Sequence, residues 1–485
     1  MREDTQGTNT AAARLAQGAA LQDVLAVADP GDWLALDAAV RDAAWWYRAQ
    51  LMPEWKDGAS SPGLPDDLAR LGESRLALAL CHRDGRIRER AIRSSARYPG
   101  LLPLIVIRCA DWAEPVRTCA RELLRTTLDM DQAVSLAPLI VSVGRRDRGG
   151  FGTDLLGTVL RQAPPGRLAA LFVAPDRAVR RFVRRLAIEQ RMLGPAELAR
   201  AAARDEDAVI QDLCATAALA MLRDEDGGED ARDEAYDAVL TPLLAARNPR
   251  TRATGVTALR GAGRPVQAEP FLNDRSALVR ACARYVVRQH GGDPTAGYRE
   301  RCLAPDDPEL PPGAVIGLAE GGDRADGELL WPLLAHPAAG VRAQAVAGLR
   351  ALDLADAERL RPLLDDPVPA VVRETTTALL PSAGQLPADW LLERIEAQRP
   401  RHIRLAAFRL LDAYGGIVAL RAAVGLMEDP DLKLRTWAGQ SVQRWHPSAG
   451  VRPGDPEVGE LLDRSRHLFS DYVLRRRKWE AGLAG

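Results

Sequence analysis

Apolar positions along the chain recur on two scales. Within a short window they fall three and four residues apart, the spacing of one helical face. Over longer distances a whole arrangement returns: a Val-Arg-like pair, a small residue three positions later, and Leu or Val four positions further on. It is clear in "HPAAGVRAQAVAGLRAL", residues 336–352, and again in "DPVPAVVRETTTALL", residues 366–380. With the arginine as a mark, the last five marks fall at Pro311, Arg342, Arg373, Arg404 and Arg435, each 31 residues from the next. Earlier marks lie at Arg280, Arg252, Gln211, Arg180, Arg117 and Arg88, with a weaker unit near Arg148, and their steps vary between 28 and 41. A period of this length predicts a solenoid of about twelve stacked units.

Three residues after the marks stand Ala91, Ala120, Val183, Cys214, Gly255, Ala283, Ala314, Ala345, Thr376, Ala407 and Ala438. Small side chains there let neighbouring helices approach closely. The positions one before, three after and seven after each mark share one helical stripe, so this stripe is the packed face. A second apolar segment precedes each mark and ends in a polar turn, as in "LTPLLAARNP", "LLWPLLAHP", "RLRPLLDDP" and "AAVGLMEDP". Each unit therefore reads as helix, turn, helix, with room for helices of about 10–13 residues, roughly 15–20 Å long. The acidic stretch "RDEDGGEDARDE", residues 223–234, reads as a loop between such helices, and "GGFGTDLLG", starting at Gly149, as an irregular turn.

An arginine in the first turn of a helix opposes the helix dipole and needs a nearby carboxylate or carbonyl. The turns before the marks supply Asp84, Asp111, Asp176, Asp207, Asp274, Asp366 and Asp429. Such an aspartate can cap the second helix and bond an arginine of its own or an adjacent repeat. The expectation is a structural ladder made of Asp84, Arg88, Asp111, Arg117, Asp176, Arg180, Asp274, Arg280, Arg342, Asp366, Arg373, Arg404, Asp429 and Arg435.

At these residues the sequence resembles the HEAT repeat family, in particular the short bacterial PBS-lyase HEAT-like repeat. The resemblance rests on a D-x-x-x-x-V-R-x-x-A-x-x-x-L unit, clearest in "LNDRSALVRACARYVV" and "LLAHPAAGVRAQAVAGL", and covers residues 77–452. It implies an all-α, right-handed α-solenoid whose second helices line a concave surface that commonly binds proteins and sometimes nucleic acid. The unit near Arg148, the one at Gln211 and "PELPPGAVIGL", where Pro311 takes the mark, depart from the pattern and are expected bends or imperfect stacks.

Helical caps are expected at both ends, because a solenoid otherwise leaves an apolar face open. Residues 1–76 hold Trp33, Trp45, Trp46 and Trp55, read as an amphipathic helix laid over the first repeat, or else an aromatic anchor for a partner. Residues 453–485 read as a terminal helix docking through Leu461, Leu462, Phe469, Val473 and Leu474. Its basic run, Arg475, Arg476, Arg477 and Lys478, reads as solvated, or else as a dock for an acidic surface.

Composition narrows the function classes. The net charge of −1 opposes wholesale wrapping of nucleic acid, and only Lys56, Lys433 and Lys478 among the 65 basic residues are lysines. The six cysteines show no pairing pattern, the N-terminus lacks a signal-peptide core, and no run is apolar enough for a membrane span, so a soluble, cytoplasmic, monomeric protein with no membrane partner is expected. No phosphate loop, nucleophile elbow or zinc helix occurs, and the six histidines lack ligand spacing. A non-enzyme without cofactor or metal is the expectation.

Charge is uneven along the chain, however. Residues 76–200 carry 22 basic against 12 acidic side chains. Here "DRAVRRFVRRLAIEQR" places Arg177, Arg181, Arg184 and Arg185 at helical spacings, and "GRRDRGG" adds Arg145, Arg146 and Arg148. These read as a solvated face or as a surface for an acidic partner or phosphate, since guanidinium suits both. The leading functional reading is a scaffold binding another protein, of unspecified identity, through its concave surface. A nucleic-acid module using residues 76–200 and an enzyme or subunit related to bilin lyases are the alternatives.

Overall fold

The computed structural model describes residues 11–26, 29–41, 68–223, 229–448 and 451–483, and all the regular structure among them is helical. The chain separates into two compact units, Met1–Thr251 and Arg252–Gly485. The helices of the first unit include α1 (Pro30–Arg41), α2 (Glu73–Leu80), α3 (Gly85–Ser95), α4 (Leu102–Arg108), α5 (Glu114–Thr127), α6 (Met130–Gly144), α7 (Gly150–Leu160), α8 (Ala169–Phe172), α9 (Arg177–Glu189), α10 (Pro195–Arg204), α11 (Ala208–Arg223) and α12 (Glu229–Leu244). Helix α13 (Pro249–Gly261) carries the division. The second unit holds α14 (Ala277–Gln289), α15 (Pro294–Cys302), α16 (Pro312–Gly321), α17 (Ala339–Ala351), α18 (Pro369–Leu379), α19 (Arg401–Tyr414), α20 (Gly416–Gly425), α21 (Leu432–Arg444), α22 (Pro456–Arg464) and α23 (Asp471–Glu480).

Every mark either lies in a second helix or immediately precedes one, giving the alternating helix-turn-helix order of an α-solenoid. All eleven small residues three positions after the marks are buried, from Ala91 to Ala438. The packing stripe is thus the one the spacing requires, and it is close enough that a larger residue would need a neighbour to move.

First helices are less regular than the equal lengths expected. Pro332 and Pro362 lack the N–H of a continuing α-helix, so Gly327–Leu330 passes into the 3-10 segment Pro332–Ala335, and Ala357–Leu360 into Arg361–Asp365. Two local readings are also corrected. Residues 229–234 of the acidic stretch form the opening of α12. "GGFGTDLLG" opens α7 instead of making an irregular turn, and a Cβ at Gly149 would meet the Val143 carbonyl at 2.2 Å.

At the N-terminal end Trp33 is buried and its indole donates to the Ala26 carbonyl; Trp45, Trp46 and Trp55 lie outside the described residues. At the C-terminal end the single helix expected is two, α22 and α23. Val458, Leu461 and Leu462 are buried, while Phe469 and Leu474 pack on the same core. The basic run is largely engaged: Arg476 and Arg477 reach Glu480, and Lys478 reaches Asp463.

Candidate functional site

The turn arginines were candidates for structure and the Arg145–Arg185 group for binding. Their geometry separates the two roles side chain by side chain. Most marks are the fourth residue of their helix, which lets the side chain fold back over the preceding turn. Arg88 Nη1 donates to the His82 and Arg83 carbonyls at 2.8 and 2.9 Å, and Arg342 Nη1 to those of His336 and Pro337 at the same distances. Arg117, Arg180 and Arg435 grip equivalent carbonyl pairs. These carbonyls answer the unfavourable dipole directly.

The remaining guanidinium nitrogens reach forward to the next repeat. Arg88 forks onto Asp111 at 2.7 and 2.9 Å, Arg252 onto Asp274 at 2.9 and 3.0 Å, and Arg342 onto Asp366 at 2.8 and 3.0 Å. Arg404 pairs with Asp429, and Arg180 meets Asp205 at 3.4 Å. Each of these acids stands three residues before its helix begins, and each accepts a backbone N–H two residues on. The rung acid is therefore one position, and the capping acid another.

Several ladder residues consequently behave otherwise than expected. Asp84 and Asp176 are N-caps, accepting the N–H of Arg86 and Ala178, with no ion pair among the described residues. Arg117 and Arg435 hold carbonyls, with no carboxylate partner among the described residues. Arg280 pairs with Glu320, which also takes Arg284 at 2.8 Å. Arg373 is exposed and, among the described residues, its ion pair is with its neighbour Glu374, at 3.3 Å. Its cause is the turn: α18 starts so that Arg373 is the fifth residue, rotated about 100° from the rung direction, and Val372 is buried in its place. At the weak Gln211 mark, an amide pair with Asn248 replaces the ion pair.

Where no arginine precedes, histidine takes the acid's position. His82 Nδ1 accepts the Asp84 N–H at 2.9 Å and His336 Nδ1 the Ala338 N–H at 3.0 Å. Burial holds the His82 imidazole down at about 4, so it is neutral at pH 7. Burial would raise the Asp111 carboxyl, but the Arg88 hydrogen bond and the Arg108 charge hold it below the usual range. Asp274 and Asp429 are lowered in the same way by Arg252 and Arg404 against their burial.

Sequence reasoning missed the largest charged cluster. Asp111 accepts not only Arg88 but Arg108 at 3.2 Å and Arg41 at 3.1 Å, and Arg41 and Arg108 also pair with Asp37 of α1. This network ties the N-terminal helix to the repeats. No periodic signal marks Asp37 or Arg41, because a cap lies outside the period.

The basic candidates divide just as clearly. Arg181 forks onto Asp207 at 2.7 and 3.1 Å and is thereby neutralised; the hydrogen bond from Arg181 lowers the Asp207 carboxyl. Arg145, Arg146, Arg148, Arg177 and Arg185 are exposed. Arg148 sits at φ 68° with its carbonyl held by Arg121 at 2.9 Å, a turn role.

Arg184 points elsewhere. Its guanidinium stacks 4.3 Å from the Phe172 ring centre, and its Nε is buried without a hydrogen bond among the described residues. It lines a cleft of about 700 Å³ between α8, α9 and α10, with Arg180, Arg200, Arg204, Glu197, Asp205 and Glu206 among its other charged groups. The cleft exists because α8 is one turn long and α9 packs on α8, α6 and α11, whereas α10 packs on α11 and α12. Arg200 and Arg204 are exposed, one helical turn apart, with no ion pair among the described residues. Val173 forms an apolar lip, 78% exposed.

No group of three or more His, Cys, Asp or Glu among the described residues is placed to hold a metal, and no described helix is long and apolar enough to cross a membrane. The six cysteines are free, and burial raises the Cys109 thiol to about 12.

The fold and the ladder define an all-helical repeat protein of the HEAT-like, α-solenoid class. No family model and no curated protein matches the chain. Among solved structures, Kap121p bound to RanGTP is similar over 84% of this chain and 51% of its own, at 12% identity and TM-score 0.33, so the chain spans about half that protein's length. Importin beta in an ammonium sulfate condition is similar over 98% of this chain and 78% of its own, at 13% identity and TM-score 0.32. UNC-45 from Drosophila melanogaster covers 89% of this chain and 75% of its own, at 11% identity and TM-score 0.19. At these scores the assignment of the fold rests on the helices and their ladder alone.

Proposed function

We propose that the chain is a cytoplasmic, non-enzymatic scaffold that holds another protein against its repeat surface, the concave face implied by the resemblance to short HEAT-like repeats. The observation that carries this reading is the arginine-lined cleft. Among the described residues, the buried arginines elsewhere are engaged with carbonyls and carboxylates of the stack. In the cleft Arg184, Arg200 and Arg204 face an open space bordered by an exposed apolar residue. Arginine is among the residue types enriched in interface hot spots.

Affinity purification of the tagged chain from its native cell, with and without nuclease, followed by mass spectrometry, tests the reading. A near-stoichiometric protein that survives nuclease supports it. Recovery only of nuclease-sensitive material would replace it with the nucleic-acid reading, which Arg181 no longer serves because Asp207 occupies it.

A further inference from the structure

The cleft between α8, α9 and α10 has a chemistry that selects its occupant. Its cationic groups do not cancel within it. Arg180 is committed to the Ala174 and Pro175 carbonyls and to Asp205. Asp205 also accepts the Asp207 N–H, and Glu197 accepts the Gly194 N–H as a helix cap at 2.9 Å. That leaves Arg184, Arg200 and Arg204 facing the exposed carboxylates of Glu197 and Glu206, an excess of positive charge. Like charges one helical turn apart, as at Arg200 and Arg204, destabilise an isolated helix slightly. An anion between them and Arg184 would reverse that effect.

The wall is also partly apolar. Phe172 places its ring 4.3 Å from the Arg184 guanidinium carbon, and Val173 and Leu193 border the opening. The planar guanidinium fork suits bidentate contact with a carboxylate. Val173 and Leu193 at the opening offer an apolar contact that a polypeptide side chain can fill and a sugar-phosphate backbone cannot.

We infer that this cleft binds an acidic peptide segment, with side-chain carboxylates on Arg184, Arg200 and Arg204 and an adjacent apolar side chain against Val173 and Leu193. The inference rests on the protein-binding reading above and gives that partner a chemistry.

The test uses the full-length chain on an array of immobilised octapeptides, each with two Asp or Glu beside one Leu, Val or Phe, and the same set with Asn and Gln in place of the acids. The best binder is then labelled and titrated by fluorescence anisotropy. Arg184 is packed on Phe172 and its removal can disturb folding, so the variant is R200Q/R204Q, whose side chains are exposed. The expected result is binding of acidic but not amide peptides, weakened tenfold or more by R200Q/R204Q and by V173E, and unchanged by R145Q/R146Q. Absence of acidic binders, or equal binding by R200Q/R204Q, overturns the inference. So does a single-stranded oligonucleotide that binds tighter than every peptide with the same dependence on Arg200 and Arg204. Full recovery of the native partner by R200Q/R204Q would sink the cleft and leave the scaffold standing. Recovery of no partner by the wild-type chain would sink the scaffold itself.

Discussion

Arg342 and Arg373 stand 31 residues apart in the same unit, yet one is a partly buried tie between repeats and the other a surface side chain. In "HPAAGVR", "APDRAVR" and "DPDLKLR" the arginine is the fifth residue after the turn proline; in "DPVPAVVR" it is the sixth. The additional residue turns Arg373 by about 100° out of line, and nothing in the next turn waits for it: Gln398 stands where Asp366 and Asp429 stand in their repeats. The lesson is that an equal period does not guarantee equal contacts. A mark is structural when its place in the helix and an acid one repeat on agree.

The comparison can be broken or sharpened by substitution. The largest effect should come from Asp111, which holds three arginines. Asp111→Asn leaves buried positive charge unpaired and should destabilise the first unit by about 3–5 kcal/mol, read as a lowered urea midpoint. Arg342→Met keeps the aliphatic stem while removing the charge. With Asp366 left buried, a loss of about 2–4 kcal/mol is expected in the second unit.

A pH effect follows from the turn histidine. The unfolded chain protonates His82 near 6.5, whereas the folded chain resists until about 4. Its contribution is therefore complete above pH 6.5 and falls by up to about 3 kcal/mol as pH drops to 4. His82→Asn, which keeps an acceptor for the Asp84 N–H, should flatten urea stability between pH 7 and 4.5 relative to wild type. The smallest effect is at Arg373: Arg373→Met should change stability by less than about 0.5 kcal/mol, as expected for an exposed pair.

How far these distinctions were legible depends on what writes them. The period, the small residues at Ala345 or Ala407 and the helix-turn-helix order are repeated many times, so the pattern averages over local exceptions. The rung acid was legible as a residue type but not as a position. Asp84 and Asp176 lie four residues before their marks and cap helices, whereas Asp111, Asp205, Asp274 and Asp429 lie six before and form ties. The network through Asp37, Arg41 and Arg108 joins distant segments only in three dimensions. The cleft was half legible: "DRAVRRFVRRLAIEQR" advertised its arginines, but the spacing alone could not show that Asp207 takes Arg181 while Phe172 turns Arg184 inward. Arg200 and Arg204 fell outside the candidate set because "ELARAAARDE" reads as an ordinary amphipathic helix.

The most direct test of the ladder is a double-mutant cycle on Arg342 and Asp366, with Arg373→Met as the parallel control, all measured by urea unfolding. A coupling of about 1–3 kcal/mol between R342M and D366N, beside a control indistinguishable from wild type, is the predicted result. Independent effects of R342M and D366N, or an equal loss from R373M, would contradict the claim that the register of the turn decides which arginines hold the repeats together.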